Sequence, residues 1–292
     1  MSYPYPLHRN ESFRPFFIVG SGRSGNTLLR RLLQASPEVH IPPETYVLGK
    51  VIRTFRRYRF FLPWEQLINL TLAIFEFYPE FEKFEISLRP LAQRLQNAPR
   101  ESRSLALILD SLYRFHGEQT GKTFSVWGDK TPNNSYALDR IFSVFPKAQF
   151  IHILRDGGDV VSSLLKAGIR DDLTSAAIRW KTSVEAVQKF IRAHPENSFE
   201  IRYENLVQTP ADSMKPLFAF LNLPFDASFL ETKLPAGAMR DLSKYTHLSN
   251  VMDPISADSI GKGRSALSQE QKQTLQKIIG ADLERLGYAP LA

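Results

Sequence analysis

The run Phe16-Phe17-Ile18-Val19, followed by Gly20-Ser21-Gly22-Arg23-Ser24-Gly25 and then Asn26-Thr27-Leu28-Leu29, constrains this chain more than any other stretch. Four apolar residues, a Gly/Ser-rich turn and a renewed apolar pattern read as strand, loop and helix. A helix start offers unpaired backbone N–H groups and the positive end of the peptide dipoles, and small residues let an anion approach the main chain. Gly20, Gly25 and Thr27 follow the spacing of the nucleotide-phosphate loop GxxxxGK[ST], but Asn26 stands at the lysine position. The segment therefore reads as a phosphate cradle without the lysine of an ATPase. The plainer alternative is a strand-turn-helix whose small residues serve tight packing.

With 292 residues and 43% hydrophobic content the chain is long enough for a large core, and it is read as a single domain spanning 1–292. The absence of cysteine excludes disulfides, thiol catalysis and Cys-based metal sites. The six histidines show no HxxxH or HExxH spacing, so no metal is expected. A net charge of +7 favours anionic partners without choosing among them. The basic residues go with the glycine-turn motifs more than with any separate Lys/Arg stripe, which argues against a nucleic-acid partner. Met1 to Pro15 has no charged-then-apolar leader, and nearby apolar runs fall far short of the roughly 20 residues that span a bilayer. A soluble, cytoplasmic protein without a transmembrane segment is the expectation.

Strand-like runs at Phe16–Val19, Phe124–Trp127, Gln149–Leu154 and Phe199–Arg202 alternate with helical stretches at Thr27–Ala35, Asn134–Phe142, Gly158–Ala167, Thr174–Ala193 and Ala211–Leu221. This pattern predicts an α/β fold with a parallel sheet covered on both faces. A C-terminal helix over Ser268–Leu286 opens on the capping-box pattern Ser268 to Gln271. Between the first strand-helix unit and Phe124, residues 47–121 read as an inserted helical lobe, rich in aromatics and broken at Pro63, Pro79, Pro90 and Pro99. Lobes inserted after a strand often carry substrate specificity, although most of these aromatics are expected to pack the lobe onto the sheet. Arg53, Arg56, Arg57 and Arg59 form a basic cluster there, readable as a solvated face or as a site for an anionic acceptor or lipid headgroup.

A second strand-to-turn-to-helix anchor follows Phe150-Ile151-His152-Ile153-Leu154 as Arg155-Asp156-Gly157-Gly158-Asp159-Val160-Val161-Ser162-Ser163. Arg155 at a strand's carboxyl end and Ser163 two helical turns later can converge on one anion. Two phosphate anchors imply a ligand with two phosphate clusters. In these motifs and their order the chain resembles the sulfotransferases that use 3′-phosphoadenosine 5′-phosphosulfate (PAPS), whose RSGTT-type loop binds the 5′-phosphosulfate and whose RDxxDVxxS motif binds the 3′-phosphate.

The resemblance implies the P-loop-like three-layer α/β/α fold of that family. It implies that Arg23, Ser24, Gly25, Asn26, Thr27 and Leu28 hold the 5′-phosphosulfate, with the Asn26 amide donating where the family often has threonine. Arg155 and Ser163 would grip the 3′-phosphate and Tyr203 would lie against the adenine. Lys262, Gly263 and Arg264 resemble the late basic loop that closes over the 3′-phosphate. PAPS would be the donor and 3′-phosphoadenosine 5′-phosphate (PAP) the product, with a hydroxyl or amine acceptor (sugar, aromatic, lipid or peptide) and a preference for carbohydrate. Glu44, after Pro42-Pro43, matches the base of the tyrosylprotein branch, with His40 as its rival. Lys130 would stabilise the leaving group together with Arg23, and His247 and Ser249 are outside candidates. A P-loop kinase or NTPase and a non-catalytic nucleotide-binding module are the competing readings.

Overall fold

The computed structural model describes residues 4–9, 12–232, 234 and 253–292. Within these, five strands form one parallel sheet: β1 (Phe16–Val19), β2 (Val39–His40), β3 (Val126–Lys130), β4 (Gln149–Leu154) and β5 (Ser198–Arg202). Their order across the sheet is β2-β3-β1-β4-β5. The helices are α1 (Asn26–Gln34), α2 (Leu48–Tyr58), α3 (Trp64–Glu76), α4 (Arg89–Gln96), α5 (Leu105–Gln119), α6 (Leu138–Phe142), α7 (Gly157–Lys166), α8 (Leu173–Ala193), α9 (Tyr203–Gln208), α10 (Pro210–Phe220), α11 (Lys262–Ser265) and α12 (Gln269–Arg285).

All four residues of β1 are fully buried, as expected of a central parallel strand covered on both faces. The period-2 alternation of side chains then divides the strand between two cores. Phe16 and Ile18 pack with Leu29, Leu33, Leu206 and Phe218 from α1, α9 and α10. Phe17 and Val19 face the other way, into a core shared with the lobe helices α2 to α5. Sheet and two helical coats give the three-layer α/β/α arrangement. The lobe is thus bound to the sheet by a common core rather than tethered beside it: Phe55, Trp64, Phe75, Phe81 and Phe84 are buried there, and Tyr58, Phe60, Phe61 and Phe77 stay exposed. The capping box of α12 forms as expected, Ser268 accepting from Gln271 N and Gln271 reaching back to Ser268 N.

Two elements differ from the sequence reading for visible reasons. The third strand begins at Val126 and runs through Gly128, Asp129 and Lys130, which places both charged residues inside the sheet. Phe124 is drawn out of strand by packing its ring on Gly117 of α5. The single helix expected over Asn134–Phe142 is a 3₁₀ turn, Pro132–Tyr136, followed by α6. Asn134 donates to Asp129 Oδ1 at 2.9 Å and Ser135 Oγ to the Pro132 carbonyl at 2.8 Å, and such side-chain bonds compete with a regular helix start.

Candidate active site

Topology brings the two glycine turns together. β1 and β4 are adjacent, with Phe16 opposite Gln149 and Val19 opposite His152, so the loops leaving their carboxyl ends emerge side by side. β1 is also where the strand order changes direction, the position at which open α/β sheets bind ligands. A cavity of about 980 Å³ opens there. Its wall includes Arg23, Gly25, Asn26, Thr27, Leu28, Glu44, Lys130, Arg155, Ser163, Tyr203, Lys262 and Gly263, residues drawn from seven separate segments of the sequence.

The loop between β1 and α1 is shaped by backbone geometry. Gly20 has φ 146 and a Cβ there would come within 2.6 Å of the Ile153 carbonyl oxygen. Gly25, the N-cap of α1, has φ 100, and a Cβ would collide with the Tyr203 ring. Arg23 itself adopts the left-handed conformation at φ 70, which costs a non-glycine residue energy and is commonly kept where a loop serves a site. The Arg23 Nε donates to Ser163 Oγ at 3.1 Å, so the arginine of the first motif meets the serine of the second. Arg155 donates to the Arg23 carbonyl at 3.2 Å and to the Ser259 carbonyl at 2.9 Å, and its guanidinium lies 4.2 Å from the Tyr203 ring centroid. Burial, and secondly the nearby Arg155 charge, lower the Arg23 pKa. The Arg155 Nε is buried without a partner. Two crowded cations and an unpaired donor at the start of a helix make a wall suited to an anion.

Glu44 pairs with Lys130, and both line the cavity; the lysine side chain is 1% exposed and the glutamate 18%. The segment carrying Glu44 is fastened to β3. Thr45 N donates to Thr131 Oγ1 at 3.0 Å and Thr45 Oγ1 to Asp129 Oδ2 at 3.0 Å. Asp129 also accepts from Tyr113 at 2.5 Å and from Asn134, and its burial raises its pKa. Tyr113 stacks on Trp127 at 3.9 Å, tying this network into the core.

Several expected roles change. The Asn26 side chain lines the cavity, but its amide donates to the Ser21 carbonyl at 2.8 Å, closing the loop on itself rather than reaching for a ligand. Ser24 is buried beside the cavity and is not part of its wall. Arg264 points away: it pairs with Asp156 at 2.9 Å and donates to the Pro290 and Ala289 carbonyls. Its backbone N–H and that of Gly261 bond the Asp159 carboxylate, at 2.9 and 2.8 Å, which docks the late loop on α7 and sets Lys262 and Gly263 at the cavity. The two aspartates of the second motif are therefore fasteners for that loop. His247 and Ser249 lie outside the described residues.

His40 is corrected as a base. It sits in β2, 4% exposed and outside the cavity wall, with Nε2 2.9 Å from His116 Nδ1. Burial first, then the charges of His116, Lys122 and Arg30, hold its pKa down to about 3. A group that stays neutral in the native state but protonates in the unfolded chain costs stability as pH falls below its ordinary value of 6.5. The slope is about 1.4 kcal/mol per pH unit until the native pKa is reached. Melting temperature is expected to drop more steeply between neutral pH and pH near 4 for the wild type than for His40→Asn; parallel curves would contradict this.

Residues not anticipated from sequence also line the cavity: Tyr46, Glu80, Lys83, Lys166, Arg179 and Ser259. Arg179 donates to Asn133 at 3.0 Å, and its Nε is buried without a partner. Ser259 Oγ bonds the Tyr203 hydroxyl at 2.5 Å. Tyr46 stands two residues after Glu44 on the same segment and could have been read with it; Arg179 comes from the second turn of α8, where nothing in the local pattern marks it.

The chain belongs to the Sulfotransferase family, whose model matches residues 15–227, and it is accordingly a sulfotransferase. Among its relatives, protein-tyrosine sulfotransferase 1 of Danio rerio is 24% identical over 300 residues, covering 98% of this chain and 76% of that protein. Nodulation protein NoeE of Sinorhizobium fredii is 25% identical over 307 residues, covering 93% of this chain and 65% of that protein. The sulfotransferase domain of the Synechococcus PCC 7002 olefin synthase shares the fold at a TM-score of 0.65 and 20% identity, covering 97% of this chain and 98% of that one. Among the described residues no helix is long and apolar enough to cross a membrane.

Proposed function

We propose that the protein moves a sulfuryl group from PAPS to an acceptor hydroxyl at this cavity. The observation that carries the reading is the convergence of Arg23, Arg155 and Ser163, from two separate turns, on one wall of it. Arg155, Ser163, Lys262 and Gly263 would hold the 3′-phosphate, which ATP lacks. The α1 N-terminus with Arg23, Gly25, Thr27 and Leu28 would hold the 5′-phosphosulfate, and Tyr203 would lie against the adenine. PAPS supplies an activated sulfuryl group bonded to a good leaving group.

The rest of the chemistry falls to residues of this chain. In-line transfer between oxygens depends on positioning, on charge stabilisation and on removal of the acceptor proton. Glu44 would take that proton. Its place on a segment pinned through Thr45 to β3 fixes where the acceptor hydroxyl must come. Lys130, now paired with Glu44, would stabilise charge on the departing oxygen. Breaking that pair when the donor enters would free the carboxylate to act as a base.

For the acceptor, similarity to the protein-tyrosine sulfotransferase of Danio rerio supports a tyrosyl hydroxyl over the carbohydrate expected from sequence. The guanidinium of Arg179, which lines the cavity with its Nε buried and without a partner, would suit an acidic neighbour of the acceptor tyrosine. Incubation with PAPS labelled in sulfur, and with a tyrosyl peptide or an oligosaccharide, tests this directly. Label is expected on the peptide; label on the oligosaccharide alone would reverse the acceptor assignment, and phosphate transfer from ATP in place of sulfuryl transfer would overturn the whole reading.

Gly25→Ala tests the donor site by geometry. The new Cβ would require both a left-handed backbone and displacement of Tyr203. Strain of about 1–3 kcal/mol is expected, hence PAP binding weaker by about 5- to 150-fold where that strain falls on the bound loop. Wild-type affinity would show that the loop does not need glycine there.

A further inference from the structure

The turn that ends α2 exposes two consecutive phenylalanines, Phe60 at 48% and Phe61 at 75%. α2 turns Leu48, Val51, Ile52 and Phe55 into the core, which leaves Lys50, Arg53, Arg56 and Arg57 on its outer face. From Val47 to Trp64 the sequence contains no aspartate or glutamate. Arg140 of α6 adds to the field, since its guanidinium and that of Arg53 both lie near Gly49. The nearest acidic residues along the chain are Glu65, just after this stretch, and Asp139, beside Arg140. Arg59 is turned inward, donating to the Tyr5 carbonyl at 3.2 Å with its guanidinium 4.9 Å from the Phe60 ring centroid, and so props that ring at the surface.

A solvated basic helix needs no pair of exposed phenyl rings at its tip, and a plain apolar contact needs no row of cations along the adjoining helix face. We propose that this corner docks the protein on an anionic lipid bilayer, with Phe60 and Phe61 entering the interfacial layer and the α2 cations engaging lipid headgroups. Aromatic groups partition into that layer, and basic side chains near an anionic leaflet add attraction that salt screens. α2 starts two residues after Tyr46 of the cavity wall and rises about 16 Å over its 11 residues, and Phe60 follows two residues after its end, so a single short helix links the cavity to the membrane contact.

The test uses the full chain sedimented with phosphatidylcholine vesicles, with and without phosphatidylglycerol. Binding is expected only with phosphatidylglycerol and to weaken as salt rises. Phe60→Ser/Phe61→Ser and Arg53→Glu/Arg57→Glu are each expected to lower partitioning at least about tenfold while leaving PAP affinity unchanged, which separates this proposal from the sulfotransferase reading. Absence of phosphatidylglycerol-dependent binding by the wild type, or equal partitioning of the variants, would overturn it. So would self-association that the variants abolish without any vesicle binding.

Discussion

Replacing Glu44 by glutamine is expected to leave PAP binding nearly intact and to slow sulfuryl transfer by about 100-fold or more. Glutamine keeps the shape and removes the proton acceptor. The backbone on either side stays anchored, because Thr45 holds Thr131 and Asp129 through its own N–H and hydroxyl rather than through Glu44. The substitution also takes the carboxylate away from Lys130, whose side chain is buried, so some loss of stability accompanies the loss of rate. A single-turnover measurement with PAPS separates the two, since a folded variant that binds donor and fails to transfer isolates the proton step. Transfer at the wild-type rate would place the base elsewhere; His40 lies outside the cavity wall with its Nε2 engaged by His116.

Arg155→Ala is expected to weaken PAP binding by about 1.5–3 kcal/mol, or roughly 10- to 150-fold, while changing 5′-AMP binding much less. The difference between the two ligands is the informative quantity. Arg155 also holds the Arg23 and Ser259 carbonyls and lies over Tyr203, so its loss disturbs the loop as well as removing a charge. Loop damage would weaken both nucleotides alike. Equal losses for PAP and 5′-AMP would therefore make Arg155 a fastener of the loop and remove its assignment to the 3′-phosphate.

The parts of this molecule that could be read from sequence are those where chemistry is local. β1 and β4 announce themselves as apolar runs ending in glycine turns, and the tight loop between β1 and α1 follows from the positions of Gly20 and Gly25. The sheet order was not readable, yet it is what lets Arg23 reach Ser163 across 140 positions of sequence. Hydrogen bonds, one within the loop and two sets between distant segments, also engage three of the expected site residues. The Asn26 amide is taken by the Ser21 carbonyl, Arg264 by Asp156 and the C-terminal carbonyls, and His40 by His116. Each has the residue type that the site asks for, and each is engaged by a partner that sequence spacing does not reveal. The two-residue strand β2 was too short to show a period, and Arg179 enters the cavity from the second turn of a 21-residue helix with no motif around it.

The most direct test of the central claim is calorimetric titration of the protein with PAP, against 5′-AMP and ATP under the same conditions. Convergence of Arg155, Ser163 and Lys262 on one wall predicts PAP binding at least about tenfold tighter than either. Equal affinities, or a preference for ATP, would contradict a 3′-phosphate site and with it PAPS as the donor.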